Sequence, residues 1–128
     1  MAVVDWMHLC DHAFLDEYGK PSVIGIFRYL VSNKLPHIMP HAMIAYNLMG
    51  EADEPITPRL SIVTPSNASL VEMRLDPITL PPSREQVGFV LMDGLELHEA
   101  GIYVVTLWIS QVVSRSIPFV LFVNNHEG

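Results

Sequence analysis

Short runs of Val, Ile, Leu, Phe and Tyr alternate along this chain with clusters of Gly, Pro, Asn and Asp. Within the runs the apolar positions recur with a period of two, the repeat of an extended strand whose successive side chains point to opposite faces. The pattern predicts strands over residues 4–14, 22–31, 41–49, 58–64, 69–76, 86–94, 102–110 and 117–123, with turns between them. Eight of the ten prolines lie between Pro36 and Pro82. An interior proline costs a helix about 3 kcal/mol and pushes its predecessor out of helical space, so that stretch has little room for helix. Eight short strands with no helical period predict one all-β domain over residues 1–128, a two-layer antiparallel β-sandwich.

Two strands read as half-buried. In 58–64, Leu60 and Ile62 share one face and Arg59 and Ser61 the other; in 69–76, Val71, Met73 and Leu75 oppose Glu72, Arg74 and Asp76. Three others are apolar on both faces. In 102–110, Tyr103, Val105, Leu107 and Ile109 back onto Ile102, Val104, Thr106 and Trp108. In 86–94, Val87, Phe89 and Leu91 back onto Gly88, Val90 and Met92, and in 41–49 Ala42, Ile44, Tyr46 and Leu48 back onto His41, Met43, Ala45, Asn47 and Met49. A sandwich buries one face of each sheet. If these three strands are neighbours, their second face is an exposed apolar patch of the kind that marks an interaction site. Met43, Met49, Val90, Met92, Val104 and Trp108 are the residues expected on it. The expected partner is a second copy in a C2 homodimer, or another protein. The plainer reading is that a loop such as 31–40 or 77–85 folds over the face and covers it.

Composition sharpens this picture. Half of the 128 residues are apolar and only 16% are charged, against about 25% in an ordinary soluble domain. The chain is therefore too apolar to be disordered and short of the charge that a fully wetted surface carries. Seven basic against fourteen acidic residues, spread evenly, leave no basic patch for phosphates or anionic lipid, so neither nucleic acid nor membrane is an expected partner. The first residues lack the basic start of a secretory leader, and the longest apolar run, Ile117 to Val123, falls far short of the roughly 20 residues of a spanning helix. The single cysteine, Cys10, permits no disulfide within the chain and suits a reducing interior. A cytoplasmic protein with no cofactor is the expectation.

Little of the chain suggests chemistry. His8, Cys10 and His12 alternate and would share one face of a strand, and all three are metal-ligand types. Positions four apart on a strand are about 13 Å apart, so at most two of them reach one ion and a further ligand must come from elsewhere. A metal- or small-ligand-binding protein organised around these three is the alternative function. His37 and His41 have helical spacing, but Pro40 opposes the helix. Asp11, Asp16 and Glu17 flank a turn, and Glu51, Asp53 and Glu54 form an acidic loop without calcium-loop spacing. Trp6 and Trp108 suit core or interface better than a stacking platform. No Gly-x-Ser-x-Gly and no glycine-rich phosphate loop occurs, so no catalytic residue is assigned and the expectation is a non-enzymatic binding or assembly module.

Two stretches resemble known families. Glu99-Ala100-Gly101-Ile102-Tyr103 resembles the tyrosine corner of immunoglobulin-like sandwiches, where the Tyr hydroxyl bonds back to nearby backbone and pins the corner. The resemblance implies an immunoglobulin-like sandwich with structural roles for Glu99, Gly101 and Tyr103; the family's cysteine position is Val105 here, so the disulfide is missing. More broadly, Cys10-Asp11-His12-Ala13, then Gly19-Lys20, then Val23-Ile24-Gly25-Ile26-Phe27, with Gly101-x-Tyr103 and the stretch from Phe119 to Val123, resembles a family of small bacterial proteins of unknown function. The long proline-rich middle and His12 depart from that pattern. The second resemblance supports the fold and implies no reaction or ligand.

Overall fold

The computed structural model describes residues 1–124, and every regular element in them is a strand. In chain order these are β1 (Val3–Leu15), β2 (Pro21–Ile26), β3 (Tyr29–Ser32), β4 (His37–Ile38), β5 (Met43–Met49), β6 (Pro55–Ile56), β7 (Arg59–Val63), β8 (Ser69–Arg74), β9 (Ile78–Thr79), β10 (Glu85–Leu91), β11 (Glu96–Leu97), β12 (Gly101–Trp108) and β13 (Ser114–Val123). Two sheets form the layers: β10-β5-β1-β2, and β3-β13-β12-β7-β8. The two-residue ladders β4/β11 and β6/β9 lie outside them and contribute buried Leu97 and Ile56. The protein is an all-β immunoglobulin-like sandwich without a disulfide.

The period-two pattern explains the core. In the first sheet the rows Leu9–Ile44–Val90 and Met7–Tyr46–Gly88 face inward. From the second sheet come Tyr103 beside Phe119, Val105 beside Ile62, and Leu107 beside Leu60. Gly88 belongs in its row because the Tyr46 ring occupies the space that any side chain there would take. Of the two strands read as half-buried, β7 behaves so, with Leu60 and Ile62 buried while Arg59 and Ser61 face out. In β8 the alternation fails: Leu70 is the extra residue at a register shift, Leu70 and Val71 are both half-buried, and Met73 is exposed.

Two departures matter for function. The expected strand over 22–31 is two strands, because the chain leaves β2 at Phe27–Arg28 and crosses to the other sheet as β3. There β3 pairs with β13 in parallel, so the sandwich is not purely antiparallel. In addition β1 outruns its sheet: Val3 to Cys10 pair with β5, Cys10 also meets β2, and His12 to Leu15 pair with β2 alone. Beyond Cys10 the β1–β2 hairpin turns back over the outer face of the first sheet. Ala13 and Val23 of the hairpin pack there with Cys10, Met43, Ala45, Trp6 and Phe89. The turn occurs where Gly25 (φ 70°) sits against the Asp11 carboxylate, a left-handed conformation that a side chain would strain.

Candidate functional site

The three strands that are apolar on both sides do not lie side by side. β5 and β10 are neighbours, but β12 is central in the opposite sheet. The six residues expected on one patch are therefore dispersed. Met43 lies beneath the hairpin, buried. Met49 is partly open at the end of β5, opposite Val3. Val90 pairs with core Ile44, so its side chain faces inward with the core, and Met92 is 2% exposed in the same core; Val87, Phe89 and Leu91 take the outward positions instead. Val104 and Trp108 do face out, but from the second sheet, with the Arg59 guanidinium 5.2 Å from the centre of the Trp108 ring. Trp6 and Trp108 consequently lie on opposite sides of the sandwich and form no common platform. The covering segment is the hairpin, not 31–40 or 77–85.

The histidine–cysteine set is dispersed as well. Strand alternation slips at Asp11/Gly25, so Ala13 and not His12 joins Cys10 under the hairpin. The Cys10 thiol is buried and donates to the Met43 carbonyl at 3.6 Å; burial, and then the Asp11 charge, push its pKa up, away from the thiolate that a metal would bind. His8 stacks on Trp6 with ring centres 5.7 Å apart. His12 instead meets His41, Nδ1 to Nε2 at 3.4 Å, and His41 Nδ1 lies 3.0 Å from Asp93 Oδ2. The Asp93 carboxylate also accepts the Ala42 N–H at 3.0 Å, and that bond, followed by the one to His41, holds its pKa down. This relay fastens the hairpin to the start of β5. Among the described residues no group of three His, Cys, Asp or Glu side chains converges to hold a metal. The acidic loop is tied to its own neighbourhood, since Glu54 accepts the N–H groups of Glu51 at 3.0 Å and Ala2 at 2.6 Å. Asp16 caps the hairpin turn through the N–H groups of Tyr18 and Lys20.

At the other end of the second sheet, Tyr103 donates its hydroxyl hydrogen to the Glu99 carbonyl at 2.6 Å and accepts the Glu99 N–H at 3.2 Å. Its ring stacks on Phe119 at 5.0 Å, and Gly101 (φ 125°) carries the chain past Pro65.

A contiguous apolar surface stays open on the outer face of the second sheet, while Ile24, Ile26 and Leu91 are exposed on the edge strands of the first. Across β12, β13 and β3 run Ile102, Val120 and Tyr29, with Phe122 and Val31 beside them. Tyr29 is 64% exposed, Val31 and Ile102 57% each, and Phe122 55%. Half-buried Val104 continues the patch. The pattern places Ile102 and Val104 on an outer face but leaves Tyr29, Val31, Val120 and Phe122 unassigned, because residues 22–31 read as one strand and the faces of 117–123 are not separated. The signal was present: Val120 and Phe122 alternate with Phe119 and Leu121, making the last strand apolar on both faces too.

A profile of the family described as "Family of unknown function (DUF6941)" matches residues 5–122. The chain belongs to this family. No curated protein matches it. Among solved structures, the DUF6941 chain is similar to an immunoglobulin-like protein (PA1606) from Pseudomonas aeruginosa, with 14% identity, coverage of 94% of this chain and 96% of that one, and a TM-score of 0.51. It is also similar to part of a β-glucosidase from Listeria innocua in complex with isofagomine: 9% identity, TM-score 0.52, 93% of this chain and 17% of that one. At such identities the likeness shows a shared fold alone.

Proposed function

We propose that this DUF6941 protein is a one-domain, non-enzymatic assembly module that pairs with a second copy of itself through the outer face of the β3–β13–β12 region. The observation that carries the reading is the contiguous exposure of Tyr29, Val31, Ile102 and Phe122 in adjacent registered positions. Apolar area leaving water contributes roughly 25 cal/mol per Å², set against the lost freedom of two bodies. A patch of β-branched and aromatic side chains without a charge can meet its own copy with no ion left unpaired, which suits a C2 pair. The chain's net charge of −7 makes two copies repel. Added salt screens that repulsion and strengthens this contact, whereas a charge-paired interface would weaken. The setting in this reading is the cytoplasm, where the lone Cys10 thiol stays reduced.

Light scattering on the purified protein is expected to give twice the mass of the chain, and more dimer at higher salt. Ile102→Glu and Phe122→Glu, each at an exposed position, are expected to give folded monomers. A wild-type monomer at millimolar concentration, or dimers that both variants retain, would overturn the reading.

A further inference from the structure

We propose that His12 and His41 form a two-histidine site for zinc or a like divalent transition metal, which clamps the β1–β2 hairpin to the start of β5. The pair belongs to the first sheet, away from the assembly face on the second, and stands without that reading. His12 is on β1 and His41 lies just before β5, 29 positions on. The fold brings Nδ1 of the first to 3.4 Å from Nε2 of the second. That contact is longer than the roughly 2.7–3.2 Å of a well-formed hydrogen bond from N–H. It is the right length for a shared ion. Zinc–imidazole bonds are about 2.0–2.1 Å, so two nitrogens on one tetrahedral ion stand about 3.3–3.4 Å apart. Both side chains are exposed, so an ion and its water can reach them.

Asp93 fixes which nitrogen carries a lone pair. Its Oδ2 lies 3.0 Å from His41 Nδ1, while its Oδ1 accepts the Ala42 N–H at 3.0 Å. A neutral imidazole has one N–H, and Asp93 takes that hydrogen at Nδ1. The His41 lone pair is therefore on Nε2, the nitrogen next to His12. A carboxylate behind a ligating imidazole is the arrangement that orients metal-binding histidines and raises their basicity. Without metal, His12 donates its Nδ1–H to His41 Nε2. With metal, His12 carries its hydrogen on Nε2 and both facing nitrogens bind the ion, so the change of tautomer releases no proton. Water completes the tetrahedron, since no third His, Cys, Asp or Glu side chain converges there among the described residues. Two imidazoles select zinc, nickel or copper over magnesium and calcium, which take oxygen ligands.

The test titrates the untagged full chain with ZnCl2 in a non-chelating buffer at neutral pH and follows the imidazole nitrogen resonances. One equivalent is expected to shift His12 Nδ1 and His41 Nε2 along one saturation curve, with the His12 hydrogen on Nε2 at the end, and to leave the other histidines unmoved. Asp93→Asn, which keeps an oxygen for the Ala42 N–H, is expected to weaken zinc by about 10–100-fold, the usual loss of a supporting carboxylate. His12→Gln is expected to cost more, since a ligand itself is removed. His98→Ala, at a ring paired with Glu96, is expected to leave the affinity unchanged. Saturating zinc is expected to slow hydrogen exchange at the Ala13 amide several-fold, because opening the hairpin breaks the site. Absence of a saturable shift at millimolar zinc, a response spread evenly over all the histidines, affinity retained by His12→Gln, or Ala13 exchange unchanged by bound zinc would each overturn the proposal.

Discussion

A phenol that donates to a backbone carbonyl must keep its proton, and Tyr103 is held to this by its surroundings. Burial pushes its pKa up most; the Glu99 N–H opposes this and the Glu99 charge adds to it. Tyr46, buried between the sheets, is raised by burial as well. In the unfolded chain both ionise near pH 10. Above that value the unfolded state binds fewer protons than the native one, so stability is complete below it and falls as pH rises further. Tyr103→Phe is expected to lose about 1 kcal/mol at neutral pH, the net value of a typical hydrogen bond, and to flatten the alkaline decline; urea midpoints across pH measure both. An unchanged midpoint would mean that the corner bond contributes nothing. Tyr103 was legible in the sequence because Gly101 and Glu99 stand at fixed offsets from it. Asn47 was not: one polar residue in an apolar strand announces burial but not the carboxylates that reach it from 42 and 38 positions away.

At the scale of elements, the hairpin decides what the first sheet shows to solvent. β1 and β2 were predicted as strands, and their pairing follows from the turn at Asp16 to Lys20. Their reversal over β5 was not legible, because alternation assumes a straight strand and Gly25 breaks that assumption at one residue. The same limit merged β2 with β3, since neither glycine nor proline marks the crossing at Phe27–Arg28. Gly25→Ala is expected to cost about 1–2 kcal/mol, the strain of a left-handed L-residue, with the Asp11 carboxylate in the way besides. Lifting the hairpin opens Cys10, so alkylation by iodoacetamide is expected to run several-fold faster than in the parent. Gly101→Ala is the control: Gly101 has φ 125° in the opposite sheet, so it carries backbone strain away from the hairpin and leaves alkylation slow. Equal rates in the two variants would show that the hairpin does not guard the thiol.

For the whole molecule, low charge and two-sided apolar strands implied more apolar surface than one inter-sheet core hides, and the fold answers differently on its two sides. On the first sheet Met43, Ala45 and Phe89 lie beneath the molecule's own hairpin, which leaves a groove rimmed by Asp5 and Glu85, while Ile24, Ile26 and Leu91 stay exposed at the sheet's edges. On the second it remains open around Ile102 and Phe122. Packed sheets stand about 10 Å apart, and the screening length at physiological salt is about 8 Å. An added carboxylate on one outer face is thus weakly felt on the other, and substitutions this far apart without shared partners add to within about 0.5 kcal/mol. Ile102→Glu is therefore expected to turn dimer into monomer while leaving the iodoacetamide rate of Cys10, beneath the hairpin on the other sheet, within about twofold of the parent's. Gly25→Ala is expected to speed that alkylation and leave the mass in solution unchanged. If both readouts move together in either variant, the two faces act as one coupled site and the division of labour between the sheets is wrong.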